Sequence, residues 1–239
     1  MPSFVIGCAG RARHGKGSTA EFVKEWANSN KIPSQIISLA DPLKDFLTLL
    51  VGRSEPFRGN SSERYAPVPE LPWSRLEPQI CAEAQALWPE QDWSVNPTGR
   101  QLMQLFGTEV VRRHFCSDAW VIMTGNRARQ FNGITIVDDM RFPNEARLRR
   151  LDPGVGIVDV LFKIVRPDIP NINHPSEDAV DTIPLEWMDR VFDNNGDLAV
   201  LRDRVLAWLT MALDVKNGEI STPRNPNASG QFNHQESTR

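Results

Sequence analysis

The chain has 239 residues, about 1.6 times a typical ~150-residue domain, so one large domain or a core with an inserted subdomain is expected. Hydrophobic residues make up 40% and charged residues 24%, ordinary globular usage that excludes wholesale disorder and fibrous repeats. Lys+Arg 27 against Asp+Glu 30 leaves a net charge of -3, no polycationic field for duplex nucleic acid or an anionic membrane, and no run approaches ~18 apolar residues.

Residues 4–9 form a short apolar run, followed by a glycine-rich turn and then by residues 19–28, where Phe22, Val23, Trp26 and Ala27 recur at helical spacing. Strand, loop and helix are predicted in that order. A second apolar run, 36–40, ends at Asp41-Pro42, and Pro42 suits the first turn of a helix carrying Leu43, Phe46, Leu47 and Leu50. Two strand–helix units in succession favour a parallel sheet.

Residues 52–97 hold 7 of the 18 prolines and three of the seven tryptophans around a short helical patch at 80–88, the pattern of an inserted lid or substrate-side subdomain. Thr98 is placed to cap a helix through Gln101, Leu102, Leu105 and Phe106, and Asp118 to cap another over 120–131. Residues 133–137 are a β-rich run bounded by Asp138-Asp139, Pro143 opens a charged helix over 145–150, and 155–165 is the longest strand candidate. Val191-Phe192 leads to an amphipathic helix with Leu198, Leu201, Val205, Trp208, Leu209 and Leu213. From 216 to 239 only Ile220, Ala228 and Phe232 interrupt a polar sequence, so a disordered tail is expected after a folded unit of residues 1–215.

The sharpest pattern is Gly10-Arg-Ala-Arg-His-Gly15-Lys16-Gly17-Ser18-Thr19, between the first strand and the first helix. It fits G-x-x-x-x-G-K. The glycines let successive N–H groups converge on phosphate oxygens, the helix N-terminus adds partial positive charge, and Lys16 reaches the β- and γ-phosphates. The plain alternative is a glycine turn with a surface lysine. One departure is Gly17, which stands where the general motif has Ser or Thr.

Asp138 and Asp139 end a predicted strand, where carboxylates face the ligand crevice of an α/β sheet and hold Mg2+ through water or orient a substrate. An N-cap is the competing use, and Arg141 two residues on favours a site. Arg100, Gln101 and Gln104 lie off the apolar face of their helix, a pattern also produced by plain solvent exposure. Trp73, Trp88 and Trp93 serve either in packing or in stacking on a base. Three cysteines without paired spacing argue against disulfides and zinc, and 21 Arg against 6 Lys tilts the chain towards phosphate recognition.

Together these residues resemble the phage-type deoxynucleoside monophosphate kinase family. The likeness runs over about 4–214, excluding most of 52–97, and is carried by the loop from Gly10 to Thr19, Ala40-Asp41-Pro42-Leu43-Lys44, Gly99-Arg-Gln-Leu-Met-Gln-Leu-Phe-Gly-Thr108, Asp139-Met-Arg141-Phe-Pro-Asn-Glu145, His174-Pro-Ser-Glu177 and Asn195-Gly196. The resemblance implies an α/β P-loop kinase fold, a mainly parallel sheet flanked by helices, and transfer of the ATP γ-phosphoryl group to a deoxynucleoside 5′-monophosphate. Gly10, Gly15, Lys16, Gly17, Ser18 and Thr19 would then hold the donor phosphates, with Ser18 and Asp139 beside Mg2+. Arg13, Arg100 and Arg141 would clamp phosphates. Asp41, Lys44, Gln104, Asp138, Glu145 and Glu177 would fall on the acceptor side, and Asn195 near the donor adenine. Lys16, Arg13, Arg141 and Asp139 are the expected catalytic group.

A phosphomonoester is already an anionic nucleophile at neutral pH, so positioning and charge neutralisation dominate this chemistry. The expected partners are small-molecule nucleotides, with room for a homodimer, no membrane, and a cytoplasmic location, that of the host if the chain is phage-encoded. Two alternatives remain. A kinase acting on a hydroxymethylated pyrimidine in phage DNA would need a base such as Asp139 and would make nucleic acid a partner. A nucleotide-binding ATPase or switch would want a water-orienting Gln or Glu, and the sequence identifies none.

Overall fold

A computed structural model of the chain describes residues 3–146, 158–167, 169, 178–216 and 219–221. Five strands, β1 (Phe4–Ala9), β2 (Ser34–Ile37), β3 (Ile134–Met140), β4 (Val160–Val165) and β5 (Arg190–Asp193), form one all-parallel sheet in the order β2-β3-β1-β4-β5. Such a sheet needs helices on both faces, and its central strands read as continuous apolar runs for that reason. All six residues of β1 are buried.

Alternate residues of the strands face two cores. Ile6, Cys8, Ile136 and Phe162 pack against Val23 and Trp26 of helix α1 (Lys16–Ser29) and against Leu201 and Val205 of the last long helix. Val5, Val137, Met140 and Leu161 pack on the other face with Val121 and Ala128, which belong to the helix Ala119–Arg129.

Between β2 and β3 the chain makes α2 (Asp41–Val51), α3 (Glu55–Arg58), α4 (Ser61–Tyr65), α5 (Pro78–Leu87) and α6 (Gly99–Gln104). Pro42 stands in the first turn of α2, as its sequence predicts. Residues of 52–97 share a core with α2 and α6 through Leu43, Leu47, Phe57, Val68, Leu71 and Leu102. Trp73 packs on Trp93 and Trp88, with ring centroids 4.9 and 6.3 Å apart. Thr98 and Gln101 cap α6 reciprocally, which fixes its entry. A Cβ on Gly99 would lie 1.9 Å from the Pro56 carbonyl oxygen, so only glycine allows α6 to cross α3 here. The helix then runs on as a π-helix over Leu105–Arg112, and Trp120 Nε1 donates to the Gly107 carbonyl at 2.9 Å.

After α7 (Ala119–Arg129) and β3 come α8 (Pro143–Ala146), β4, β5 and α9 (Leu198–Ala212). Three sequence expectations change. The third strand does not stop at Val137: Gly7 pairs with Val137 and Ala9 with Met140, so Asp138 and Asp139 together oppose Cys8 in a bulge. Asp118 precedes α7 without capping it, because its carboxylate accepts from Asn144 Nδ2 at 2.8 Å. Strand β7 (Glu219–Ser221) lies inside the expected tail and pairs antiparallel with β6 (Asp214–Lys216), with Ile220 packed against the α1–α9 core. Among the described residues no helix is long and apolar enough to cross a membrane.

Candidate active site

The loop from Gly10 to Gly15 leaves β1 at the carboxyl edge of the sheet and turns into α1. Gly15 has φ 105°, and a Cβ there would meet Asn194 Nδ2 at 2.7 Å. Asn194 sits just past β5, 5% exposed, and donates to the His14 carbonyl at 2.8 Å. His14 Nδ1 lies 3.3 Å from both the Ile164 carbonyl and the Arg166 N–H, donating to the first in one tautomer and accepting from the second in the other. The ends of β4 and β5 therefore set the back of the loop.

Lys16 is 8% exposed, and its ammonium donates to the carbonyls of Gly10 at 2.7 Å and Arg11 at 2.8 Å, which holds the cation across the mouth of the loop. The first intrahelical bond of α1 is Thr19 N–H to Gly15 O, so the N–H groups of Gly17 and Ser18 have no helical acceptor. Gly17 is exposed, with nothing within 4 Å of a built Cβ, and Ser18 is half-buried beside it. Thr19 turns inward: its side chain is fully buried and its N–H donates to the Gly15 carbonyl at 2.9 Å. Arg13 has φ 63° and an exposed side chain with no ion pair among the described residues.

The bulge in β3 gives its two aspartates different surroundings. Asp139 accepts from Leu39 N–H at 2.7 Å, from Ala40 N–H at 3.4 Å and from the Ser38 hydroxyl, and so anchors the turn between β2 and α2. Asp138 accepts from its own backbone N–H and not from that turn. Burial pushes its carboxyl up to about 6, and the neighbouring Asp139 adds to the shift while Lys44 opposes it. The buried Cys8 thiol is raised by its burial and by Asp138 and lowered by Lys16; in the bulge Asp138 lies on the strand beside β1, opposite Cys8 and one strand from the loop. Asp41 and Lys44 pair at 3.1 Å on the first turn of α2. Burial raises the Asp41 carboxyl, but the Ser38 N–H, Lys44 and Arg58 outweigh it and hold it below its ordinary value.

Next to this edge is a cavity of about 580 Å³, lined by Arg100, Gln104, Asp139, Arg141 and Glu145 among others. Five residues assigned to phosphates or acceptor from sequence thus share one space. A sixth group, Arg112, was not foreseen. Its guanidinium donates to Glu145 at 2.6 Å and lies 4.7 Å from the Phe142 ring centroid. Glu145 is 2% exposed and also accepts from the backbone N–H groups of Arg141 at 2.5 Å and Phe142 at 2.9 Å, so it holds the Arg112 side chain against the backbone of 141–142 and has little left for a substrate. Burial raises its carboxyl against the pull of Arg112. Arg100 has no ion pair among the described residues.

The site geometry has a counterpart among known proteins. The chain is similar to the deoxynucleoside-5′-monophosphate kinase of Escherichia phage T5, 22% identical over 230 residues that cover 82% of this chain and 91% of that protein. No family model matches the chain. The likeness extends over most of both chains and agrees with the resemblance carried by the sequence motifs.

Not every predicted residue joins the site. Asn195 is exposed and donates to Asp193 at 3.1 Å, whereas its neighbour Asn194 braces the loop. Glu177 lies outside the described residues. A smaller space of about 210 Å³ flanks the other side of the loop, where Arg11 and Lys163 both pair with Asp181 at 2.6 and 3.0 Å.

Proposed function

We propose that the chain is an ATP-dependent kinase that transfers the γ-phosphoryl group to a deoxynucleoside 5′-monophosphate. The observation that carries this reading is the adjacency of two anion sites at one sheet edge: the Lys16 loop, and an acceptor cavity where three arginines, Arg100, Arg112 and Arg141, converge. A hydrolase or switch needs only the first. The likeness to the phage T5 deoxynucleoside-5′-monophosphate kinase supports the same reading.

The residues present fit a nucleotide and Mg2+. Mg2+ keeps several waters and is held by one or two carboxylates together with substrate phosphates, and the half-buried Asp138 and Asp139 on β3 would supply those carboxylates. Asp138 and Ser18 are the groups that would meet it, since Asp139 is bonded into the β2–α2 turn. When bound, Mg2+ supplies charge neutralisation on the donor phosphates. Lys16 transfers its hydrogen bonds from loop carbonyls to phosphate oxygens, and the N–H groups of Gly17 and Ser18 add two more donors. Arg100, Arg112 and Arg141 fix the acceptor phosphate so that its anionic oxygen faces the transferring group, and no general base is required. Residues 52–97 serve in this scheme as an insertion on the acceptor side of one kinase domain.

Incubation of the full chain with ATP, Mg2+ and each of the four dNMPs, beside duplex DNA carrying hydroxymethylated pyrimidine, tests the reading. Deoxynucleoside diphosphate is expected in stoichiometric balance with ADP. Phosphate release without a phosphorylated acceptor, or label entering only the DNA, defeats it.

A further inference from the structure

Beside the acceptor cavity, and sharing Arg100 and Gln104 with it, lies a second space of about 310 Å³ built largely by residues 65–98. Its walls combine aromatic faces with amides. Trp88 is half-buried, supported from behind by Trp73, and Tyr65 is exposed with the Arg100 guanidinium 5.6 Å from its ring centroid. Asn96 and Gln104 are half-buried, and neither side-chain amide makes a hydrogen bond among the described residues. Gln101, by contrast, is fully used, bonded to Thr98 and to Gln91. Among the described residues no Asp or Glu lines the space.

We infer that this space is the nucleobase site of the acceptor nucleotide, with Trp88 and Tyr65 as stacking faces, Asn96 and Gln104 reading the base edge, and Arg100 at the junction holding the 5′-phosphate. An amide offers one acceptor and two donors side by side, which matches the adjacent donor and acceptor groups on any base edge. Stacking is tolerant because every base has a π-face. Two unpaired amides and no carboxylate therefore describe a site that accepts more than one base and discriminates through Asn96 and Gln104. The segment that the family likeness leaves out would then carry the specificity. The identity of the ligand's phosphate half rests on the kinase reading above; the base half rests on the walls of this space.

The test uses the full chain. Gln104→Glu and Asn96→Asp convert donor–acceptor amides into acceptor-only carboxylates, while Trp88→Leu removes a stacking face. Added negative charge near Arg100 weakens all four dNMPs alike, so the readout is the ratio of kcat/KM values. Guanine presents adjacent N–H donors and thymine a single N–H between carbonyls. The dGMP-to-dTMP ratio is expected to rise about tenfold or more in at least one carboxylate variant. Trp88→Leu should raise Kd for all four dNMPs about tenfold and leave binding of 2-deoxyribose 5-phosphate, which has no base, where it was. Unchanged ratios in both carboxylate variants overturn the inference and leave the kinase reading standing. If the unaltered chain phosphorylates none of the four, the kinase reading fails, and titration decides the base site. Tighter binding of dNMP than of the sugar phosphate, lost in Trp88→Leu, sustains the site; equal binding of the two overturns it.

Discussion

Two adjacent carboxylates, Asp138 and Asp139, differ in what they cost the fold. Asp139 satisfies the Ser38 hydroxyl and two backbone N–H groups, so Asp139→Asn places an amide against donors and should destabilise the protein by about 1–3 kcal/mol. Asp138 has the reverse sign. Its carboxyl titrates at about 6 in the fold against an ordinary 3.8, so ionising it opposes folding. That cost is fully present above pH 6, shrinks as pH falls towards 4, and is gone below it. The shift sets a ceiling of about 3 kcal/mol, and partial solvent access brings the expected figure to about 1–2 kcal/mol. In Mg2+-free buffer, Asp138→Asn should therefore melt higher than the unaltered chain at pH 8 and equally at pH 4, while phosphoryl transfer is lost. We propose that Asp138, whose ionisation opposes the fold, serves in binding. Denaturant melts of the two variants at both pH values decide the matter, and shifts of the same sign at pH 8 would reverse this assignment of roles.

At the scale of elements, the strand–loop–helix unit around Gly10 to Lys16 was legible because its glycines and lysine stand between a recognisable strand and helix. Arg112 was not. Arg112 and Arg113 are neighbours at the end of a helix that reads as ordinary α-helix, and nothing local separates them. In the structure the run is a π-helix, in which Arg112 pairs with buried Glu145 while Arg113 is exposed between Glu83 and Glu109. The bulge behind Asp138 and Asp139 was hidden for a similar reason, since a register slip is a property of two strands and only one is read at a time. Asn194 and Asn195 differ only by which one meets the back of the loop. The π-helix carries a prediction of its own. Arg112→Lys replaces a planar fork with a point charge and should raise KM for the acceptor about tenfold or more, with KM for ATP unchanged. Glu145→Gln should move acceptor KM the same way by less and also lower the melting temperature, because it leaves Arg112 without its counter-charge. Equal shifts in both KM values would place Arg112 on the donor side.

At the scale of the whole molecule, the sheet order β2-β3-β1-β4-β5 puts the loop after the central strand and the carboxylates on the strand beside it, so that both stand on one edge of the sheet. The opposite end of the chain closes the α1–α9 core. Composition predicted that everything past residue 215 is dispensable, yet Ile220 packs against that core and β7 pairs with β6 in register Val215 to Ile220. We propose that the boundary of the folded unit lies after Ser221. A chain ending at Ser221 should match the full chain in melting temperature and in turnover, since residues 222–239 offer only Ala228 and Phe232 as apolar groups against their ordering entropy. A chain ending at Asp214 loses the hairpin and the Ile220 contact, and should be less stable by about 1–2 kcal/mol. Its KM values should hold, because the cut lies under α1 and α9, away from the edge that carries the site. Equal melting of the two truncations would return the boundary to residue 215, and a loss of turnover in the longer one would tie the last eighteen residues to the active edge.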